Sequence, residues 1–245
     1  MAQSERERRQ AAQARLQAAG ITPPKKGGPS RGLVLGGVVL AVALLAGLYT
    51  AWQNQRGEDV EPTYAVARDG AVVTAGDPAA PVKVDVYEDY LCPACAQFER
   101  LYGGEITGAL NEGRAVVRYH TIAILDDRSN PPGYSTRAGN AALCAVDAGI
   151  YPAYHSRLYT DQPREGAAGR TVEELAALGS ELGATGDFTG CVTAQGQTQA
   201  VTDATNAAAA DPVAAPGGRL ATPTVVVNGA TVDLNDSGWL SNAIG

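Results

Sequence analysis

The sequence predicts an α/β domain in which a helical insertion separates the two halves of a small sheet, preceded by one transmembrane helix. Three observations predict this. A run of 21 residues without a charge, "GLVLGGVVLAVALLAGLYTAW" (Gly32 to Trp52), precedes everything with a globular pattern. Behind it, "VKVDVYEDY" alternates with period two, leads into a stretch of helical spacing and then into a second strand-like run, "RAVVRYHTIAIL". After a long Ala-rich helical block, strand character returns in "TPTVVVNGATVDL".

At the helical rise per residue the apolar run reaches roughly 31 Å, enough for the hydrocarbon core of a bilayer. Residues 1–31 carry seven basic residues (Arg6, Arg8, Arg9, Arg15, Lys25, Lys26, Arg31) against Glu5 and Glu7, and only Arg56 follows the run closely. The positive-inside rule therefore puts residues 1–31 in the cytoplasm, as a basic tail mostly disordered or surface-associated whose Ala-, Gln- and Arg-rich first part could form a helix, and the bulk of the chain outside. Tyr49 and Trp52 stand where an interfacial aromatic anchor belongs. A cleaved signal peptide is the competing reading. Its small-x-small pattern at Ala41–Ala43 falls in mid-run, and the basic head is long for a signal. Either way the cysteines lie outside the cytoplasm, where disulfides persist. The expected organisation is a tail over 1–31, an anchor over 32–52, a linker over 53–62 and an extracytoplasmic domain over 63–245, its insertion at about 131–210. The net charge of -7 and a pI near 4.9 argue against a nucleic-acid partner, whose phosphates would be repelled.

The elements follow in order. "AVARDGAVVTAG" reads as a first strand or hairpin, closed by the turn signal "GDPAAP". In "VKVDVYEDY", Val82, Val84 and Val86 share one face, and Lys83, Asp85 and Tyr87 the other. "AQFERLYGGEITGALNEG" is an imperfect amphipathic helix ending near Gly113. "STRAGNAALCAVDAG" and "YPAYHSRLYTDQP" read as helices, and "TVEELAALGSELG" as a third with a capping box of Thr171 and Glu174. "DFTGCVTAQGQTQAVTDATNAAAADP" reads as one more helix, capped by Asp187 and running to the proline. The "NG" of "TVVVNGATVDL" is the strongest short hairpin signal.

The chemistry is carried by "YEDYLCPAC", residues 87 to 95, which places two of the chain's four cysteines three positions apart at a helix start. The first N–H groups of a helix lack partners and carry partial positive charge, so they favour a thiolate at Cys92. Pro93 suits the first helical position, since its missing N–H would go unused there. Cys95, one turn on, can attack a mixed disulfide on Cys92, which suits two-electron exchange. Half of a zinc site is the alternative. Zinc needs four ligands, and the remaining candidates, Cys144, Cys191, His120 and His155, form no second close pair. A structural staple is the other, although so tight a loop is a poor staple. His120 and His155 read as structural. Pro223, at a strand start, asks for a special turn; a cis Thr222–Pro223 bond would fill that role, and a plain trans turn is the simpler alternative.

Together, "YEDYLCPAC", the helical block with "DFTGC", and "TPTVVVNG" resemble the DsbA-like branch of the thioredoxin superfamily, over residues from about 65 to 243. The resemblance implies a thioredoxin-like fold and an extracytoplasmic thiol-disulfide oxidoreductase of bacteria. It makes Cys92 the exposed nucleophile, Cys95 the buried resolving thiol, Pro223 the cis-proline facing them and Thr222 the residue that tunes the pair and touches clients. Glu88 would be the buried acid assisting proton transfer, with a strand-end surface carboxylate as the alternative. Cys144 and Cys191, in two helices of the insertion, would form a structural disulfide. The family needs no cofactor. Its partners are reduced client proteins and a quinone-linked membrane reoxidase of the DsbB or vitamin K epoxide reductase kind. Ala94 stands where the strongest oxidants carry histidine, which argues against extreme oxidising power. The rivals are a thioredoxin-like reductase, for example one serving cytochrome maturation, and a client-binding chaperone or scaffold without a redox role. Such reductases carry tryptophan where this chain has Leu91.

Overall fold

The computed structural model describes residues 2–20 and 60–245. The chain divides into two compact units, 1–56 and 57–245. In the first, residues Ala2–Ala18 form helix α1. The Ala, Gln and Arg content of this head allowed such a helix, beside the expectation of a mostly disordered or surface-associated tail. Ala, Gln, Glu and Arg are all strong helix formers, and no Gly or Pro interrupts them before Gly20. The expected anchor over 32–52 lies outside the described residues, as does most of the linker. Among the described residues no helix is long and apolar enough to cross a membrane.

The second unit is built on a six-stranded sheet of order β1-β2-β4-β3-β5-β6. Its strands are β1 (Val66–Asp69), β2 (Val72–Gly76), β3 (Val82–Glu88), β4 (Ala115–Thr121), β5 (Thr224–Val227) and β6 (Ala230–Thr231). Central β3 runs parallel to β4 and antiparallel to β5. Helix α2 (Pro93–Asn111) makes the crossover between β3 and β4. The valines of β3 pack inward as their alternation predicts, but Asp85 and Tyr87 on the opposite face are also buried. There Tyr87 joins Ile122, Ala208, Ala214 and Val226 in a small second core. Asp85 is held on that face by an ion pair to Arg118 and by His120 Nε2, 2.7 Å from its Oδ1, and His120 stacks on Tyr87 with centroids 4.1 Å apart.

Between β4 and β5 lies the insertion: α3 (Tyr134–Asp147), α4 (Tyr151–Thr160), α5 (Val172–Glu181), α6 (Phe188–Ala194) and α7 (Thr198–Ala210). The Thr171–Glu174 capping box forms in both directions, and the Asp187 side chain caps α6. The single helix expected from Asp187 to the proline is two. Gln195 takes a left-handed φ of 55°, and buried Asn140 of α3 secures both ends of the break. Its Oδ1 accepts the Gln197 N–H at 2.8 Å, and its Nδ2 donates to the Val192 carbonyl. Helical propensity alone does not reveal such a tertiary cap. A disulfide joins Cys144 of α3 to Cys191 of α6.

The β5–β6 hairpin turns at Asn228 and Gly229, both with positive φ, as an Asn-Gly turn of the primed kind requires. Asn228 also exchanges two hydrogen bonds with Lys83 of β3, which sets the height of β5 beside the end of that strand. Helix α8 (Trp239–Ile244) lays Trp239 against Phe98 and Tyr102 of α2.

Two outcomes test this packing. A Cβ on Gly179 of α5 would lie 1.9 Å from the Phe188 ring of α6. Gly179→Ala should therefore destabilise the chain by about 1–3 kcal/mol in urea unfolding, as overpacking does. Replacing both Cys144 and Cys191 by alanine, which opens a cross-link spanning 47 positions, should cost about 4 kcal/mol on the chain-entropy account.

Candidate active site

Strand β3 delivers its C-terminal end to the cysteines through a turn, Asp89–Tyr90–Leu91, that is entirely buried. Asp89 organises it. Its Oδ1 accepts from the Leu91 N–H at 2.8 Å and the Ser135 hydroxyl at 2.6 Å, and its Oδ2 from the Leu125 N–H at 2.8 Å. Burial raises the Asp89 carboxyl to about 6 against these three hydrogen bonds. From the insertion, Gln162 Nε2 donates to the carbonyls of Tyr90 and Cys92, both at 3.0 Å. The cysteine turn is thus held by its backbone from both sides.

Cys92 is the N-cap of α2, with extended φ and ψ, and Pro93 follows at the start of the helix. Both Cys92 and Cys95 are free thiols. The Cys92 Sγ–H donates to the Thr222 carbonyl at 3.2 Å, and the Thr222–Pro223 peptide is cis. The elements that meet here are the helix start and the loop into β5, 130 residues apart in sequence.

The two thiols are driven in opposite directions. Cys92 is lowered to about 6, first by the hydrogen bond from the Cys95 thiol, then, against burial, by the Thr222 side chain and the N–H groups of Cys95 and Ala94. Cys95 is pushed well above the ordinary thiol value by burial, then by its hydrogen bond and charge interaction with Cys92. At neutral pH the pair therefore holds one proton, on Cys95. Such an arrangement supplies one thiolate nucleophile and one reserve thiol.

The sequence pattern of the thioredoxin family matches residues 69–244. The chain belongs to the thioredoxin family. Within it, the chain is DsbA-like. The solved MdbA thiol-disulfide oxidoreductase of Corynebacterium diphtheriae is 25% identical, superposes with a TM-score of 0.65, and is matched over 76% of this chain and 96% of that one. The oxidised DsbA of Mycobacterium tuberculosis is 29% identical with a TM-score of 0.56, over 74% and 93% of the two chains. The serine/threonine-protein kinase PknE of Mycobacterium tuberculosis is 35% identical over 187 residues, which are 74% of this chain and 32% of the kinase. The DsbA-like chain thus spans about a third of the length of the curated relatives it matches.

Of the residues singled out from sequence, the structure brings Cys92, Cys95, Thr222 and Pro223 together. Cys92 is not the exposed side chain expected of it. It is 6% exposed, against 1% for Cys95, because the Thr222–Pro223 loop lies over its sulfur. Glu88 is buried at the end of β3, where its Oε1 lies 2.7 Å from His155 Nε2. The disulfide removes Cys144 and Cys191 as zinc ligands, and His120 and His155 face Asp85 and Glu88. Sequence reading missed Asp89, Gln162 and the pairing of His155. Only Asp89, next to the motif, gave a local signal.

The depressed Cys92 thiol has a direct optical signature. Thiolate absorbance of the reduced chain should titrate with a midpoint at about 6, and Cys92→Ser should abolish it. Because the folded value lies below that of a free thiol, ionisation stabilises the reduced fold at higher pH. In urea, that contribution should be lost as pH falls through about 6.

Proposed function

We propose that this protein forms disulfide bonds in secreted or membrane proteins, outside the cytoplasm, through the site Cys92-Pro93-Ala94-Cys95. The observation that carries this reading is the division of labour within the pair. An acidic thiol sits at a helix N-cap against the loop before a cis-proline, with a second, proton-retaining thiol behind it. The solved relatives, with their thiol-disulfide oxidoreductase descriptions, support it.

The half-reactions follow from the two acidities. In the oxidised pair, a client thiolate attacks Cys92 Sγ, the Cys92–Cys95 bond breaks, and its electron pair passes to Cys95. The second client thiolate then attacks the client sulfur of the mixed disulfide. Cys92 leaves as a thiolate, and its low pKa makes it a good leaving group. The client loses two electrons, which the enzyme dithiol now holds. Thr222 and Pro223 offer backbone beside Cys92 against which an extended client segment can pair. Glu88 serves as the buried acid of the site. Reoxidation requires a quinone-linked membrane partner of the DsbB or vitamin K epoxide reductase kind, and the apolar run over 32–52 supports a membrane anchor that holds the domain near it. The basic residues of 1–31 favour a cytoplasmic N-terminus.

Equilibrating the full chain with glutathione buffers tests the direction of electron flow. A potential toward about -120 mV identifies a disulfide donor, whereas one near about -270 mV identifies a reductase that needs an electron source. Ala94 in place of a thiolate-stabilising histidine leads us to expect a value on the oxidising side but short of the first figure. Absence of any two-electron transition, or a Cys92→Ser variant with full activity on a reduced client, would return the pair to a scaffold role.

A further inference from the structure

Gln162 lies one residue past the C-cap of α4, in the insertion, and is half-buried beside the cysteine turn. Its amide nitrogen carries two hydrogens, and two carbonyls lie 3.0 Å from it, those of Tyr90 and Cys92. These carbonyls flank Leu91, so one side chain spans the turn that launches α2. Tyr90 is fully buried, and among the described residues no backbone N–H reaches its carbonyl. Loss of Gln162 would leave that acceptor in the interior without its donor, a costly arrangement.

The second contact acts on the residue that carries the chemistry. Cys92 is the N-cap of α2, and no side chain caps the helix start there. Its carbonyl accepts the first helical N–H groups, from Cys95 at 3.1 Å and Ala96 at 3.2 Å, and its N–H donates to the Asp89 carbonyl at 3.0 Å. Rotation about the Cα–C bond of such a residue turns the helix start relative to its sulfur. Gln162, a third donor to that carbonyl and the one from outside the helix, opposes the rotation. The sulfur then stays where the Thr222 carbonyl, the Cys95 thiol and the N–H groups of Cys95 and Ala94 meet it. The donated N–H also offsets the negative end of the Cys92 carbonyl dipole, which otherwise disfavours a charge on the same residue. The donor is itself braced. The carboxylate of neighbouring Asp161 accepts from Arg157 Nε at 3.1 Å and from Arg157 Nη2 and Arg170 Nη2, both at 2.9 Å, and the Gln162 N–H donates to the Tyr159 carbonyl at 3.3 Å.

We propose that Gln162 is a positioning residue for the disulfide chemistry: its amide, delivered by the insertion, clamps the Tyr90 and Cys92 carbonyls and so holds the Cys92 sulfur against Cys95 and the cis-proline loop. This rests on the Cys92–Cys95 reading above and deepens it. Gln162 passes no proton and no electron. It makes the end of α4 the point through which the insertion governs the helix start, 70 positions away in the chain.

Two variants of similar size test the clamp. Gln162→Met keeps the length of the side chain and loses both hydrogens, and Gln162→Glu replaces the donor nitrogen by oxygen. In the reduced full chain, the thiolate absorbance of Gln162→Met should titrate about half a pH unit above wild type, the scale on which one hydrogen bond acts on a titrating group. Gln162→Glu should titrate higher still, since its carboxylate adds a like charge. Asp89, the carboxylate that feels the Cys92 charge, lies at about 6 as well, but thiolate absorbance reads sulfur alone. At neutral pH the glutathione equilibrium of Gln162→Met should move about threefold toward the disulfide, because the reduced form has lost thiolate stabilisation. A role in packing alone would lower the urea midpoint and leave both readouts in place. An unchanged titration and glutathione equilibrium in Gln162→Met therefore overturn the positioning role and leave the disulfide chemistry standing. Should that variant not fold, an unchanged titration in Gln162→Glu does the same. A wild-type chain without any two-electron transition overturns the redox reading itself.

Discussion

Two consecutive buried carboxylates at the end of β3, Glu88 and Asp89, impose the constraint on which the rest of the structure depends. A carboxylate taken from water into a protein interior needs partners, and an unpaired one costs several kcal/mol or changes its protonation. Asp89 finds its partners in the turn that follows it, in Leu125 and in Ser135 of α3. Glu88 finds His155 of α4. The helical insertion is therefore tied to the sheet by polar pairing, at the position from which the cysteines are launched. Apolar burial then closes the remaining faces, through α2 against Trp239 and through the small core around Tyr87.

This arrangement explains why the two cysteines differ so strongly at such short separation. The same helix N-terminus serves both, yet its N–H groups contribute less to the acidity of Cys92 than the Cys95 thiol does. A shared proton makes Cys92 acidic at the expense of Cys95. Burial then keeps the remaining proton where it is. The Thr222 loop has a double part: its carbonyl accepts from the Cys92 thiol, and its side chain favours the thiolate. Since Thr222 comes from the far side of the insertion, folding of the helical block is a precondition for the chemistry.

Much of the architecture was legible because its signals are local. Period-two alternation placed β3, the Asn-Gly pair placed the β5–β6 turn, and the capping residues Thr171 and Asp187 marked helix starts that the structure contains. The motif "LCPAC" announced a helix start by the same kind of short-range logic. Where the outcome was set by distant residues, the local pattern misled. The run after Asp187 has the propensity of one helix, and a buried asparagine on α3 divides it. At Ala2–Ala18 the Ala, Gln and Arg content allowed the helix that forms, while the reading as a whole favoured a mostly disordered or surface-associated tail.

The sequence by itself determined the thioredoxin-like α/β class with its helical insertion and the Cys92–Cys95 pair at a helix start, because these rest on short patterns with a physical cause, and the resemblance those patterns carry pointed to Cys144, Cys191, Thr222 and Pro223. Only the tertiary structure decided which groups surround the couple. His155 stands 67 positions from Glu88, and Gln162 stands 70 from Cys92. No spacing rule joins residues that far apart, since nothing local makes them meet. Their contact, and the acidities that follow from it, arise from one cause: a charged strand end had to be buried, and the insertion carries the side chains that make its burial tolerable.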